Sequence, residues 1–145
     1  MNTKNKATIE FLSISANEGF SRVCASAFAS QLDPTLEEIA DIKTAVSEAV
    51  TNAIVHAYQG GQGMITMELG IEENKLSIRI SDQGCGIGDV EQAMQPFYST
   101  VGGEERSGMG FTVMQTFMDE VEVTSAVGEG TSVFMAKQIK SKEQE

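Results

Sequence analysis

Apolar and polar residues alternate or recur at helical spacing along most of this chain, and the pattern predicts short strands and helices in a definite order. Residues 8–15 alternate between apolar and polar side chains, which is typical of a half-buried strand. Residues 17–32 carry apolar side chains three and four positions apart, which predicts a helix. The pair Asp33-Pro34 follows and ends that helix.

A second, longer helix and a hairpin come next. The run Thr35-Leu36-Glu37-Glu38 has the form of a capping box and starts a helix that should extend to about Tyr58. Glycines at 60, 61 and 63 end this helix. Strands are predicted near 64–72 and 75–82, and the short turn between them indicates an antiparallel hairpin.

The segment 83–110 is different, because it contains seven of the fourteen glycines. Only a short helix near 89–94 is predicted within it, and long irregular connections of this kind are usually functional or disordered. A helix near 109–118 and a last hairpin, 120–126 with 131–139, follow. The polar tail from about 140 is expected to fray.

The order of elements predicts an α+β fold with a single domain over 1–145. Strand, two helices, two strands, loop, helix and two strands form a two-layer sandwich, in which helices cover one face of an antiparallel or mixed, mostly antiparallel, sheet. The other face of the sheet must meet solvent or another subunit.

Charge and composition exclude some classes of protein. The net charge of −11 argues against a nucleic-acid surface, since backbone phosphates would be repelled. Cys24 and Cys85 match no metal-ligand spacing and form no disulfide framework, so a reduced, cytoplasmic setting is expected. We expect no membrane association, because the first residues lead into no apolar signal region and no apolar run approaches roughly 18 residues.

Three polar residues stand at intervals of four on the second predicted helix: Glu48, Asn52 and His56. At about 100° per residue they cover an arc of about 80°, beside the apolar stripe of the same helix. A carboxylate and an amide next to a core are costly if left dry and unpaired, and useful if a nucleotide with its metal docks there. His56 is more simply read as a helix-end histidine that the helix dipole stabilises.

A second motif, Asp82-Gln83-Gly84-Cys85-Gly86-Ile87-Gly88, comes directly after a strand. The spacing is not that of a dinucleotide-binding fingerprint. The carboxylate of Asp82 can accept a hydrogen bond from an exocyclic amine, and Gly84 and Gly86 let a planar base approach the backbone closely. Taken alone, the motif is equally typical of a glycine-rich turn.

A third motif stands at the start of the helix near 109: Arg106-Ser107-Gly108-Met109-Gly110-Phe111. Glycines at a helix start leave backbone N–H groups free to point at an anion, and Arg106 adds a positive charge. Taken alone, the motif is as typical of an ordinary junction between a loop and a helix as of a phosphate-binding turn. The preceding residues 96–105 are short of large apolar side chains and could close over a ligand as a lid.

Together the three motifs supply the parts of a nucleotide site. The amide oxygen of Asn52 is a hard ligand suited to Mg²⁺ that bridges phosphates. Glu48, one turn earlier, could orient or deprotonate an attacking hydroxyl or water. Asp82 would recognise adenine, and the turn at 106–110 would hold phosphates.

At these residues the chain resembles the superfamily of ATPases and kinases that includes gyrase, Hsp90, histidine kinases and MutL. Its N, G1 and G2 boxes match Glu48…Asn52, Asp82-Gln83-Gly84-Cys85-Gly86 and Gly108-Met109-Gly110, and Gly130-Thr131 is similar to a further Gly-Thr element. The resemblance covers nearly the whole chain.

Within this superfamily the runs 48–54, 107–114 and 117–121 resemble small sporulation anti-sigma factors that are also serine kinases. The resemblance implies a protein that sequesters a sigma factor and uses Mg-ATP to phosphorylate a serine of an anti-anti-sigma partner. It implies Glu48 as catalytic base, Asn52 as magnesium ligand, Arg22 as a partner contact, and a homodimer. The site residues it implies for the nucleotide are Asn52, Asp82, Gly84, Gly86, Arg106, Ser107, Gly108, Met109, Gly110 and Thr131.

Three alternatives stay open from the sequence. The same fold could serve as a nucleotide-gated binding module without significant phosphotransfer, although a pure binding module has no need of a base at Glu48. The kinase could act in a general-stress circuit rather than in sporulation. The chain could also be an isolated ATPase fragment of a sensor kinase.

Overall fold

The computed structural model describes residues 4–58, 61–86 and 110–140. The predicted helix near 89–94, the lid at 96–105, and Arg106, Ser107, Gly108 and Met109 lie outside the described residues. The described elements in chain order are β1 (Lys4–Leu12), α1 (Ala16–Ala29), a 3₁₀ turn (Ser30–Leu32), α2 (Leu36–Asn52), a π-helical turn (Ala53–Ala57), β2 (Met64–Glu72), β3 (Lys75–Asp82), α3 (Gly110–Phe117), β4 (Glu120–Ala126) and β5 (Gly130–Gln138).

The five described strands form one sheet in the order β1-β2-β3-β5-β4. Each of its four pairings is antiparallel, which is the simpler of the two predicted arrangements. The buried side chains of β2 and β3 alternate with exposed ones, so a single face of the sheet supplies the core. The helices pack over that face, with Ile42, Val46 and Val50 of α2 fully buried, and the predicted two-layer α+β fold is confirmed.

Strand β1 differs from its predicted bounds at both ends. It begins at Lys4 because backbone pairing with β2 continues through polar residues, as far as Lys4 opposite Glu72. Hydrophobic alternation cannot reveal that extension, since nothing apolar is buried there. The strand ends at Leu12, and the Ser13 amide donates to the Gly63 carbonyl, 2.9 Å away, before α1 begins.

The start of α2 follows the predicted capping box. The Glu38 amide donates to Thr35 Oγ1 at 3.0 Å, and the Thr35 amide donates to Glu38 Oε1 at 2.9 Å. The other oxygen of the buried Glu38 carboxylate accepts the Lys140 amide at 2.7 Å. The cap of α2 thereby also fixes the chain at the point where β5 has ended.

The end of α2 was wrongly predicted as a regular helix to Tyr58. The α-helix ends at Asn52, and Ala53–Ala57 form a wider π-helical turn. The helical segment as a whole stops at Ala57 for a tertiary reason, because the carbonyls of His56 and Ala57 accept hydrogen bonds from Cys85, in the loop after β3. Single π turns within helices occur frequently at functional sites.

The remaining elements lie close to their predicted bounds. Helix α1 ends at Ala29, three residues before the predicted end, and the 3₁₀ turn leads to Asp33 in the left-handed region at φ 49°. The turn between β4 and β5 uses Gly128 at φ 80° and Gly130 at φ 87°. No helix in the described part of the chain is long and apolar enough to cross a membrane.

Candidate functional site

The candidate site lies where the end of α2, the end of β3 and the start of β5 come together. Glu48 and Asn52 lie one turn apart on α2, and both are half-buried. Asn52 is the last residue of the regular helix, directly before the π turn. The predicted pairing of the two side chains on one side of a helix therefore holds.

The amide of Asn52 has a buried nitrogen, Nδ2, that lacks a hydrogen-bond partner in the described part of the chain. Leaving a buried polar group unpaired costs roughly 1–3 kcal/mol, so such a group calls for an explanation. A half turn of the amide exchanges its nitrogen and oxygen, which lets the same side chain offer either a donor or an acceptor. These properties suit a residue that meets a polar ligand.

Asp82 ends β3 with a side chain that is only 7% exposed. Its Oδ1 accepts hydrogen bonds from the Gly84 amide at 2.9 Å and from the Thr131 amide at 3.2 Å. Its Oδ2 accepts none from the residues that the structure describes. Burial raises the pKa of Asp82, and the two amides oppose that rise by stabilising the charged form. The backbone therefore fixes the carboxylate through one oxygen only, as far as the described residues go.

Each of the three residues after Asp82 donates a hydrogen bond from its own backbone amide. The Gln83 amide donates to the Tyr58 hydroxyl at 2.8 Å, and the Cys85 amide donates to the Ala57 carbonyl at 2.7 Å. The Cys85 thiol adds a contact of 3.3 Å to the His56 carbonyl. With Gly84 bound to Asp82, this loop is attached directly to the π turn at the end of α2.

The glycines of this loop are required by contacts between backbones. A Cβ on Gly84 would overlap the Ala57 carbonyl, and one on Gly86 would overlap the Ala126 carbonyl. Gly86 also has φ 76°, which other residues rarely adopt. From the sequence, these glycines were expected to let a base approach the backbone. Their close neighbours among the described residues are the π turn and the β4–β5 hairpin.

Thr131 reaches the site through its backbone. Its amide donates to Asp82, while its hydroxyl lies 2.8 Å from the Ser125 hydroxyl on β4. The preceding Gly130 is necessary because a Cβ there would overlap the Asp82 carbonyl oxygen. The resemblance implied Thr131 as a residue of the nucleotide site, and the structure joins it to Asp82 through a backbone contact.

Other predicted residues lie at or beyond the edge of this cluster. Gly110 is buried at the start of α3, which packs against α2. Arg22 lies on α1, where its Nε is 2.7 Å from Glu18 Oε2 as an ion pair. His56 lies in the last turn, as expected for a helix-end histidine.

Two features of this site were not predicted from the sequence, the π turn and the bridging hydroxyl of Tyr58. The small residues Ala53 and Ala57 permit the close approach of the loop after β3, but small residues are common in helices for other reasons. Among the described residues, no three histidine, cysteine or acidic side chains gather as a metal site.

Comparisons with known proteins agree with this geometry. Residues 15–137 match the family model described as a histidine kinase-like ATPase domain. The chain is 60% identical over 139 residues to the anti-sigma F factor of Caldanaerobacter subterraneus subsp. tengcongensis, covering 96% of this chain and 97% of the relative. It is 54% identical to that of Clostridium beijerinckii, over 92% and 94% of the two chains. The chain belongs to the anti-sigma F factor family.

Solved structures show the same fold for this anti-sigma F family member. The RsbU and RsbW domains of Rv1364c from Mycobacterium tuberculosis match with a TM-score of 0.67 at 17% identity, over 93% of this chain and 32% of that one. The histidine kinase domain of Erythrobacter litoralis EL346 matches with a TM-score of 0.58 at 18% identity, over 88% and 62%. The predicted resemblance and fold are confirmed, and the ATPase domain implies that the chain binds a nucleotide.

The close contact at Gly84 can be tested by adding a single methyl group. Gly84→Ala should lower the free energy of unfolding by about 1–3 kcal/mol, because the new Cβ overlaps the Ala57 carbonyl. The control is Gly19→Ala in α1, where the nearest atom is the flexible end of Arg22 at 3.6 Å. That variant should gain about 0.5–1 kcal/mol, as expected of alanine in a helix. Urea unfolding of both variants measures the difference, and equal stability of the two would contradict the proposed packing.

The buried carboxylate of Asp82 should leave a signature in the pH dependence of stability. Its pKa in the folded protein is raised above the ordinary 3.8. At pH values between the ordinary pKa and the raised pKa, the folded state therefore binds more protons than the unfolded state. The contribution of Asp82 to the free energy of unfolding therefore declines as pH rises through that window. Asp82→Asn keeps an acceptor for the Gly84 and Thr131 amides but carries no charge.

We expect the stability of Asp82→Asn relative to wild type to increase from pH 3.5 upward and then level off. Urea unfolding of both nucleotide-free proteins at several pH values measures this difference, in which the titration of all other groups cancels. A relative stability that falls with rising pH would mean that the two amide donors outweigh burial at Asp82.

Proposed function

We propose that this chain is an anti-sigma factor and a protein serine kinase. It sequesters a sporulation sigma factor and uses Mg-ATP to phosphorylate a serine of an anti-anti-sigma partner. The names of its relatives support the first part of the proposal. The observation that carries the second part is the buried Asp82, which is fixed through one oxygen and followed by a loop that is hydrogen-bonded to the π turn after Asn52.

An adenine nucleotide fits the described half of the site. The free oxygen of Asp82 can accept a hydrogen bond from an exocyclic amine, whereas a guanine would present a carbonyl at the equivalent ring position and be repelled. The backbone at Arg106, Ser107, Gly108, Met109 and Gly110 is proposed to hold the phosphates at the start of α3.

Magnesium fits the donor chemistry of the site when it arrives together with the nucleotide. The amide of Asn52 can supply one oxygen ligand, and phosphates and water can supply the others. A bound Mg²⁺ would neutralise charge that develops on the transferred phosphoryl group. A single neutral ligand, with no acidic cluster among the described residues, would hold little metal in the absence of the nucleotide.

Glu48 is proposed as the general base. Its carboxylate accepts the proton of the partner's serine hydroxyl as the serine oxygen forms a bond to the γ-phosphorus. The bond between that phosphorus and the bridging oxygen breaks, and ADP leaves. The position of Glu48 one turn before Asn52 places the base on the same side of α2 as the proposed metal ligand.

The proposed partner surface is on α1. Arg22 is 43% exposed on that helix, close in sequence to the exposed apolar side chains Phe20 and Val23. Exposed apolar residues beside a charged group are typical of protein interfaces. The outer face of the sheet is the proposed interface of a homodimer. The two free cysteines, Cys24 and Cys85, fit a reducing cytoplasm.

Glu48→Gln tests the kinase directly. The variant should keep ATP affinity within about twofold and lose about 100-fold or more of its phosphotransfer rate, because an amide cannot accept the serine proton. Purified protein is incubated with labelled ATP, Mg²⁺ and a candidate anti-anti-sigma protein, and phosphoserine on that protein is measured. ATP affinity is measured separately by calorimetry.

The matched control is Glu37→Gln, the same chemical change on an exposed residue in the first turn of α2. It should retain the wild-type rate. A wild-type rate in Glu48→Gln would remove the base assignment. Tight ATP binding by wild type without any phosphoserine would favour the binding module over the kinase.

Arg22→Ala tests the partner surface. We expect sigma-factor affinity to fall by about tenfold, because one exposed charged contact of an interface is lost, while nucleotide affinity stays the same. The control is Lys43→Ala, since Lys43 is a partly exposed basic residue of α2 and belongs to neither of the two proposed interfaces. Sigma binding is measured by titration and subunit assembly by light scattering. Undiminished sigma binding in Arg22→Ala would remove this residue from the interface.

A further inference from the structure

Tyr58 joins three parts of the fold that surround the nucleotide site. It follows the π turn directly, and its hydroxyl donates to the Met64 carbonyl at the start of β2, 2.7 Å away. The same oxygen accepts the Gln83 amide, directly after β3, at 2.8 Å. A hydroxyl has one proton, so the bond to Met64 turns the oxygen's lone pairs toward Gln83.

The ring of Tyr58 is held as firmly as its hydroxyl. It covers Gly63 so closely that a Cβ on that residue would overlap the ring carbons. The Gly63 amide in turn donates to the Ser13 hydroxyl at 3.0 Å, and the Gly63 carbonyl accepts the Ser13 amide at 2.9 Å. The phenol is thereby anchored to the ends of β1 and β2, independently of the loop that it contacts.

The contact with Gln83 is a part of the attachment of the loop that a substitution outside the loop can remove. Of the three amides after Asp82, the Cys85 amide is bound to a backbone carbonyl, and the Gly84 amide to the Asp82 carboxylate that it helps to fix. Only the Gln83 amide depends on a side chain from another element. Gln83 is exposed, so water can replace the Tyr58 hydroxyl as the acceptor for its amide. Removal of the hydroxyl should therefore change the position of the loop more than the stability of the fold.

We infer that Tyr58 is a positioning residue for the nucleotide site, which holds the carboxylate of Asp82 in place through the Gln83 amide. This inference rests on the proposed function of Asp82 as the group that recognises adenine. The hydroxyl of Tyr58 is engaged by two backbone groups, so Tyr58 is assigned no contact with the reacting phosphate or the base. It acts at the base end of the nucleotide, so it should affect affinity and base selection while leaving the transfer step unchanged.

The test is Tyr58→Phe, which removes one oxygen atom and retains the ring over Gly63. ADP affinity, measured by calorimetry, should fall by about fivefold, and the preference for ADP over GDP should fall with it. The rate of phosphotransfer at saturating Mg-ATP should stay within about twofold of wild type. A purely structural role would not separate affinity from rate in this way.

The matched control is Ser21→Ala, which deletes a hydroxyl that donates to the Glu18 carbonyl at the same 2.7 Å, in α1. It should lower the thermal midpoint without changing ADP affinity. Tyr58→Phe is also measured in an Asp82→Asn background. If Tyr58 acts through Asp82, Tyr58→Phe should lower ADP affinity by less than about twofold in the Asp82→Asn protein.

The outcomes separate this inference from the proposed function. Wild-type protein that binds no adenine nucleotide would overturn the proposed function itself. Normal ADP affinity in Tyr58→Phe, with tight binding by wild type, would overturn only the role of Tyr58. Full additivity of the two substitutions would likewise overturn it, because Tyr58 would then act on the nucleotide independently of Asp82.

Discussion

The contact between the end of α2 and the loop after β3 is the constraint on which the candidate site depends. The Cys85 amide reaches the Ala57 carbonyl only because Gly84 has no side chain to hold the two backbones apart. That approach gives the last carbonyls of the π turn partners in the loop after β3. Helix and sheet are thereby joined at the point where Asn52 and Asp82 end their respective elements.

This junction orients two polar groups whose burial lowers the stability of the fold when no ligand is bound. A buried carboxylate whose pKa is raised, and a buried amide nitrogen without a described partner, both lower the stability of the nucleotide-free protein. Structures keep such groups where a ligand repays the cost. Asp82 is held by two amides on one oxygen only, which fixes its direction and still leaves an acceptor exposed to a ligand.

The sequence predicted the elements well where burial alone determines them. Alternation in 64–72 and 75–82 reproduced β2 and β3, because one face of each strand is buried against the helices. Prediction was wrong where a partner distant in sequence decides the conformation. The start of β1 depends on pairing with β2, and the end of the helical segment at Ala57 depends on Cys85, so neither boundary is encoded in its own hydrophobic pattern.

The site shows the same division between what is local and what is tertiary. The spacing of Glu48 and Asn52 follows from helical geometry, and any helix would place them together. Their association with Asp82 and Thr131 came from family resemblance, because no pattern in one sequence states that the Thr131 amide meets a carboxylate 49 residues earlier. Tyr58 was missed for a related reason: its contribution is one oxygen atom that two backbone groups share, and such a role becomes visible only when β2 and β3 are placed on either side of it.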